Sequence, residues 1–476
     1  MKKHITCLIL ASIILSSVSC GSDSPEVTRA TEQTAAPDST AEPSRLDELA
    51  ENDFGGEEFI ILDANYAPTL NQNIPLEELA GDVINDKITE RNAAVQELLN
   101  VTFIYEQRLE GGAALFKNSI LAGDRSYDII FSPIGGAIAP FAADGLLADL
   151  CSLDALSLDK EWWSPYFYEN LRVNGRMYYT SGDISPAIYC TPACYFVNQK
   201  LAQNYKIDTE SLYAAVESGA WTLDKLWQTA GDIHDDLNAD DKMNAADDFF
   251  GILIGRSTMD TSAFTAASGV KFAEISPSGD LTCDLASERN FAVIEKLRST
   301  IASVSVSIPE GDQLFETFKN DRAIFMSHFV SSAYTRFRDM SSDFLILPLP
   351  KYDESQPSYY SYVNCWANAF TALPVNGQND RAAVIMETLA FLSLRDLRPS
   401  VVDVAFKNKG ARNEKDAGML DIIFDSIYLD LGAIQNFGGE LELINQAIHS
   451  KKDLASGWAK IKPKAEKAIA DFCEKW

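Results

Sequence analysis

From position 58 onward the apolar positions switch repeatedly between short continuous runs and stripes at helical spacing. Phe59-Ile60-Ile61-Leu62 opens onto Asp63 as a buried strand does. Between Asp82 and Asn100, Val83, Ile84, Ile88, Val95, Leu98 and Leu99 fall on one helical face, and Val101 to Tyr105 reads as a second strand. A helix is expected around Leu115 to Leu121, a third strand over Tyr127 to Ser132, and a further helix over Ile138 to Ala143. Strands alternating with helices at these intervals predict a parallel sheet with helical crossovers. Ligands of such sheets sit beyond the carboxyl ends of the strands, which places Asp63, Asn65, Tyr66 and the Ser132-Pro133 loop at a candidate site.

The start of the chain follows a different pattern. Lys2 and Lys3 precede a short apolar stretch, Ile5 to Leu15, and Ser17-Val18-Ser19 leads to Cys20, the layout of a cleaved export signal too short to span a membrane. Small residues before a cysteine resemble the lipobox of bacterial lipoproteins, which implies acylation of Cys20. Ser17 departs from the usual leucine, and an ordinary signal cut nearby is the alternative. Residues 21–53 are rich in Ser, Thr, Glu, Ala and Pro and contain no aromatic residue, so they are expected to form a disordered tether. The tether would hold a body starting at Phe54 roughly 30 Å from the lipid.

About 420 residues remain, more than one core usually organises, so two lobes are expected. The net charge of -29 opposes nucleic acid and anionic lipid and suits neutral or cationic ligands. Beyond Cys7 and Cys20, the six cysteines Cys151, Cys190, Cys194, Cys283, Cys365 and Cys473 are dispersed, and buried thiols or at most one disulfide are expected.

The strand at Phe59 followed in order by "SYDIIFSPIGGAIAPFAADGLLADL", "NGRMYYTSGD", "YFVNQKL", "GAWTLDKLW" and "FKNDRAIFM" resembles the extracellular solute-binding proteins of family 1, the lipid-tethered receptors of ATP-driven importers. The resemblance runs from about Glu58 to the C-terminus. It implies an α/β, two-lobed, periplasmic-binding-protein-like fold of type II, each lobe a mixed, mostly parallel sheet flanked by helices. It also implies a hinge and a cleft that closes on ligand. By the same analogy the chain crosses near Ser181 to Tyr189, returns near Cys365-Trp366 and crosses again over Leu394 to Pro399. Lobe 1 would then be 54–185 plus 367–398, and lobe 2 would be 186–366 plus 399–476.

The sharpest local signal is the acidic loop 236–247. Asp236, Asn238, Asp240, Asn244 and Asp247 stand at positions 1, 3, 5, 9 and 12, with the Lys242 carbonyl at position 7, the spacing by which a twelve-residue loop wraps Ca2+. Asp241 stands where such loops turn on glycine, and Asp247 is shorter than the usual Glu. A solvated acidic loop is the alternative, and in either case it would lie away from the cleft. Sugar rings stack on aromatic faces while their hydroxyls need paired polar groups. On the analogy the ligand contacts are Asp63, Tyr66, Ser132, Asp183, Tyr189, Trp366 and Asn368, with Phe437 in a late turn after a helix over Met419 to Ile427; each is also a candidate for core or hinge packing. Trp162, Trp163, Trp221 and Trp227 read as core, with Thr222 an N-cap.

Catalysis finds little support. His234, His328 and His449 are widely separated, and the chain has no GxSxG, GxxxxGK or HExxH motif. The expectation is a monomeric, lipid-anchored, extracytoplasmic receptor that hands a small polar solute, most readily a carbohydrate, to an ABC permease. A glycoside hydrolase with two carboxylates in a groove and a calcium-dependent docking protein are the rival readings.

Overall fold

The computed structural model describes residues 44–65, 72–276, 278–411, 413–450 and 452–476. Two sheets organise them. In the first, β1 (Glu57–Asp63) lies parallel between β2 (Val101–Gln107) and β3 (Ile129–Pro133), and Ala369–Ala372 closes the far edge antiparallel to β3. Register sets Asp63 beside Gln107 on one side and Phe131 on the other, so the β1 and β3 carboxyl ends meet at one edge. The crossover helix α1 (Val83–Leu99) starts at Asp82, whose Oδ1 accepts from the N–H groups of Ile84 and Asn85, and stops at Asn100 in the left-handed region, φ 47°. The second crossover, α2 (Gly112–Ala122), begins and ends on a left-handed glycine.

The second sheet runs in the order Phe344–Pro348, β4 (Ala193–Asn198), Ala323–Phe329, Phe249–Leu253, His234–Asp235. Strand β4 is antiparallel to both neighbours, whereas Ala323–Phe329 and Phe249–Leu253 are parallel. All six β4 residues are buried, as expected of a strand covered on both faces. The molecule therefore has the two-lobed α/β architecture with mixed sheets. Between the sheets, Ser361–Tyr362 pairs in parallel with Ile427–Tyr428, the short strand that ends the expected Met419–Ile427 helix early, at Asp425.

Three further features complete the fold. A helix, Arg45–Leu49, stands inside the stretch expected to be tether: Ser44 and Asp47 form its capping box, Leu49 is buried, and the Arg45 guanidinium reaches Glu387 at 3.3 Å and the Ala155 carbonyl at 2.5 Å. Averaged composition hid this helix, because one buried leucine and one cap are diluted among small polar residues. At the end of the C-terminal helix Leu454–Lys475, Trp476 packs edge-on against Tyr178 and Tyr179 at 4.9 and 5.4 Å. Finally, a π-helical turn, Ile134–Ile138, precedes the helix Ala139–Ala143. The six described cysteines are unpaired, with Cys190, Cys194 and Cys365 buried. Among the described residues no helix is long and apolar enough to cross a membrane. Cys20 and residues 21–43 lie outside the described residues.

Candidate ligand cleft between the lobes

At the carboxyl edge of the first sheet, Asp63 is buried, and its Oδ1 accepts from the Asn65 N–H and the Asn73 amide, both at 3.2 Å. Burial pushes its pKa up to about 7 against the pull of these hydrogen bonds. Asn73 Oδ1 in turn accepts from the Ser185 hydroxyl at 2.6 Å, so the strand end is tied to the segment that leads into the second lobe. Ser132 is buried and donates to the Pro133 carbonyl.

Beyond β3, the N–H groups of Ile134 and Gly135 both donate to the Cys365 carbonyl, at 3.1 and 2.9 Å. This brings Trp366 onto Gly135, where a Cβ would stand 2.8 to 3.0 Å from the indole. The ring lies on bare backbone there and is 38% exposed, unlike the other described aromatic candidates, which are buried. Asn368, two residues on, is fully buried, and neither amide atom has a hydrogen-bond partner.

Asp183 and Tyr189 pair with each other on the segment that leads into the second sheet. The Tyr189 hydroxyl donates to Asp183 Oδ1 at 2.5 Å, Arg398 lies 3.8 Å from Oδ2, and the Tyr189 ring packs edge-on against Phe424. Burial pushes the Asp183 pKa up to about 7, with Arg398 and Tyr189 opposing. Phe437 is buried edge-on against Phe472. Tyr66 lies outside the described residues.

The lobes enclose a cavity of about 500 Å3 that sequence reasoning did not outline. The first lobe contributes Gln72, Leu79, Asp82 and Ile84; the second contributes His328 and Phe329 from the carboxyl end of Ala323–Phe329, then Ser331, Tyr334 and Arg336. Pro186 and Cys190 line it from the connecting segment. Asp82 has a double use: Oδ1 caps α1, and Oδ2 accepts from the Tyr334 hydroxyl across the cleft at 2.8 Å. His328 Nδ1 pairs with Ser332 Oγ at 2.6 Å, and its ring packs on Phe315. Burial, then Arg336, lowers its pKa to about 4, so the imidazole is neutral at pH 7. Arg336 lies over the Phe315 ring and 3.6 Å from Asp312. The described walls thus combine apolar side chains with neutral donors and acceptors, one capped carboxylate, Asp82, and one guanidinium, Arg336. The sequence signal for them was the polar run Ser327-His328 and Ser331-Ser332 directly after an apolar strand.

The acidic loop lies at the amino end of Phe249–Leu253, whose other end faces the cleft edge. Asp236 accepts from the N–H groups of Asp240 and Asp241, Asn238 from Asp240, and Asp240 from Lys242. Ala239 and Asp241 take φ near 60°, the turn that glycine usually supplies. Asp248 rather than Asp247 closes the loop, accepting from the N–H groups of Leu237 and Asn244. Among the described residues no three His, Cys, Asp or Glu side chains are gathered to hold a metal ion.

No protein-family profile and no curated protein matches the sequence. Solved structures do match in fold. UgpB from Mycobacterium tuberculosis, in complex with glycerophosphocholine, superposes with a TM-score of 0.55 at 12% identity over 87% of this chain and 98% of that one. The ABC substrate-binding protein Lmo0181 from Listeria monocytogenes, in complex with cycloalternan, gives 0.54 at 11% identity over 87% and 99%. The maltose/maltodextrin-binding domain MalE from Bdellovibrio bacteriovorus, bound to maltotriose, gives 0.51 at 14% identity over 87% and 100%. The resemblance read from the motifs is thereby borne out as fold: the chain has the architecture of ABC solute-binding proteins.

Proposed function

We propose that this chain is an extracytoplasmic receptor of an ABC importer, anchored through a lipid on Cys20, that captures a small neutral carbohydrate between its lobes and delivers it to a permease. The observation that carries this reading is the cavity between the two sheets, bridged by Tyr334 and Asp82 and lined by apolar side chains with a few polar groups, among them Gln72, Ser331 and the neutral His328. Trp366, 38% exposed on the first-lobe edge beyond the cavity lining, is the aromatic ring on which a sugar would stack. No chemistry is needed: contacts to both lobes favour the closed state by their differential affinity. A neutral sugar fits better than a phosphodiester, because Arg336 already lies beside Asp312. The acidic loop belongs to this reading as a calcium brace far from the cleft, supported by its winding; binding would require its carboxylates to swing inward.

The test is a thermal-shift and calorimetric screen with maltotriose, cycloalternan and glycerophosphocholine. Ligand at about 100 times its dissociation constant adds about 2.7 kcal/mol, several degrees in midpoint. A sugar should bind without being hydrolysed, and Trp366→Ala should weaken it at nearly unchanged stability. Hydrolysis would establish the glycoside hydrolase instead, and binding of glycerophosphocholine alone would remove the carbohydrate assignment.

A further inference from the structure

A second open groove, about 620 Å3, shares no lining residue with the cleft. It too is built from both lobes. Tyr166 stands on the helix Pro165–Leu171, whose Phe167 packs on Phe370 of the first sheet at 5.7 Å. Opposite it, Gly219 follows the helix Thr209–Glu217, which packs on the edge strand Phe344–Pro348 of the second sheet.

Lys351, only 4% exposed, lines this groove. Its backbone is pinned on both sides, donating to the Trp221 carbonyl at 3.1 Å and accepting from the Leu223 N–H at 2.8 Å. Nζ donates to the Gln356 carbonyl at 3.0 Å and lies 5.7 Å from the Tyr359 ring centroid. The nearby cations Arg289 and Lys296 pair with Asp353 and Asp224, whereas among the described residues no carboxylate pairs with Lys351. A buried ammonium lacking a counter-charge is an expensive arrangement that an incoming anion relieves. Space for one is provided by Gly219, φ 74°, where a Cβ would stand 3.2 Å from Nζ.

The wall beside the ammonium is aromatic. Tyr166 and Tyr360 both pack on Tyr428, with centroids 5.5 and 5.1 Å away. Ser218 and Ser358 bring hydroxyls to the rim, where Glu217 and Asp425 are exposed and screened by solvent. A cation within, ring faces at the side and hydroxyls at the rim match a sugar ring bearing one carboxylate. We infer that this groove is a second ligand site for a monomeric acidic sugar of the hexuronate type, its carboxylate on Lys351 Nζ and its ring against Tyr166 and Tyr360.

The test is calorimetric titration of the full chain with glucuronate and with glucuronamide, which keeps the ring and loses the charge. Glucuronate should bind at least about tenfold more tightly. Lys351→Met should abolish that preference, and Trp366→Ala, outside this groove and assigned to the proposed sugar site of the cleft, should leave it intact. Equal binding of the two sugars, no binding of glucuronate at concentrations on the order of tens of millimolar, or a preference lost with Trp366→Ala and kept with Lys351→Met would each overturn the assignment. Should Lys351→Met fail to fold, the comparison of the two sugars on the unmodified chain, with the Trp366→Ala control, still decides it.

Discussion

Tyr334→Phe removes one hydroxyl and with it the hydrogen bond that crosses the cleft to Asp82 Oδ2. The neighbouring oxygen, Oδ1, still caps α1, so the perturbation leaves the helix start intact. A hydrogen bond to an ionised carboxylate contributes about 1.5 to 3 kcal/mol, and Tyr334 is only partly buried, which favours the lower end, about 1.5 kcal/mol. The bond joins the two walls of the cleft, so its loss lowers the closed-to-open ratio by about tenfold and weakens ligand by up to the same factor. Asp82→Ala should show the same weakening plus about 1 kcal/mol of lost stability from the missing cap. Calorimetry with maltotriose gives the affinities, and urea unfolding of each variant gives the stabilities. If Tyr334→Phe binds as tightly as the unmodified protein while Asp82→Ala is weakened, the carboxylate acts on ligand directly and the hydroxyl does not latch the lobes.

Asp63 and Asp183, both raised to about 7 chiefly by burial, contribute stability that is fully present below the unfolded carboxyl pKa, about 4, and is lost as pH rises through about 7. His328, lowered to about 4, acts in the opposite sense between about pH 4 and 6.5, so the diagnostic is the difference in urea midpoint between the unmodified protein and Asp63→Asn; that difference should shift in favour of the variant as pH rises, and a pH-independent difference contradicts the argument. A chain starting at Phe54 should be less stable than one starting at Ser44 by about 2 to 3 kcal/mol for the buried Leu49 alone, visible as a midpoint several degrees lower. Equal midpoints would mean that the short helix contributes nothing. Calcium should raise the midpoint without changing sugar affinity, and Asp240→Ala should remove the rise; indifference to calcium and to chelator would leave the loop to its Asx turns and Asp248.

The three parallel strands of the first sheet were legible because β1 and β3 carry continuous apolar runs, β2 directly follows a helix with clear stops, Asp82 and Asn100, and helical stripes separate them; the antiparallel edge strand Ala369–Ala372, four residues held by pairing with β3, carried no such signal. The short helix Arg45–Leu49 was not, since its stability comes from Glu387, more than three hundred positions away, which also takes Trp163 Nε1 at 2.6 Å and the Ser157 N–H. The same logic separates the site residues. Asp63 and Trp366 could be named because strand ends and crossovers fix where they sit. Whether Asp183 and Tyr189 face a ligand or a hinge depends on Arg398 and Phe424, which only folding brings to them. Tyr334 and Lys351 were missed for the same reason in reverse: a tyrosine on a four-residue helix and a lysine after a proline carry no local signal. What gives each its role is a partner, or the lack of one, supplied by distant chain. The tyrosine finds Asp82 across the cleft, while the lysine is buried with a carbonyl and a ring face and meets no carboxylate among the described residues. A satisfied polar contact between lobes holds a geometry together, and a buried lysine hydrogen-bonded but without a paired carboxylate marks the place where we infer that an anion binds.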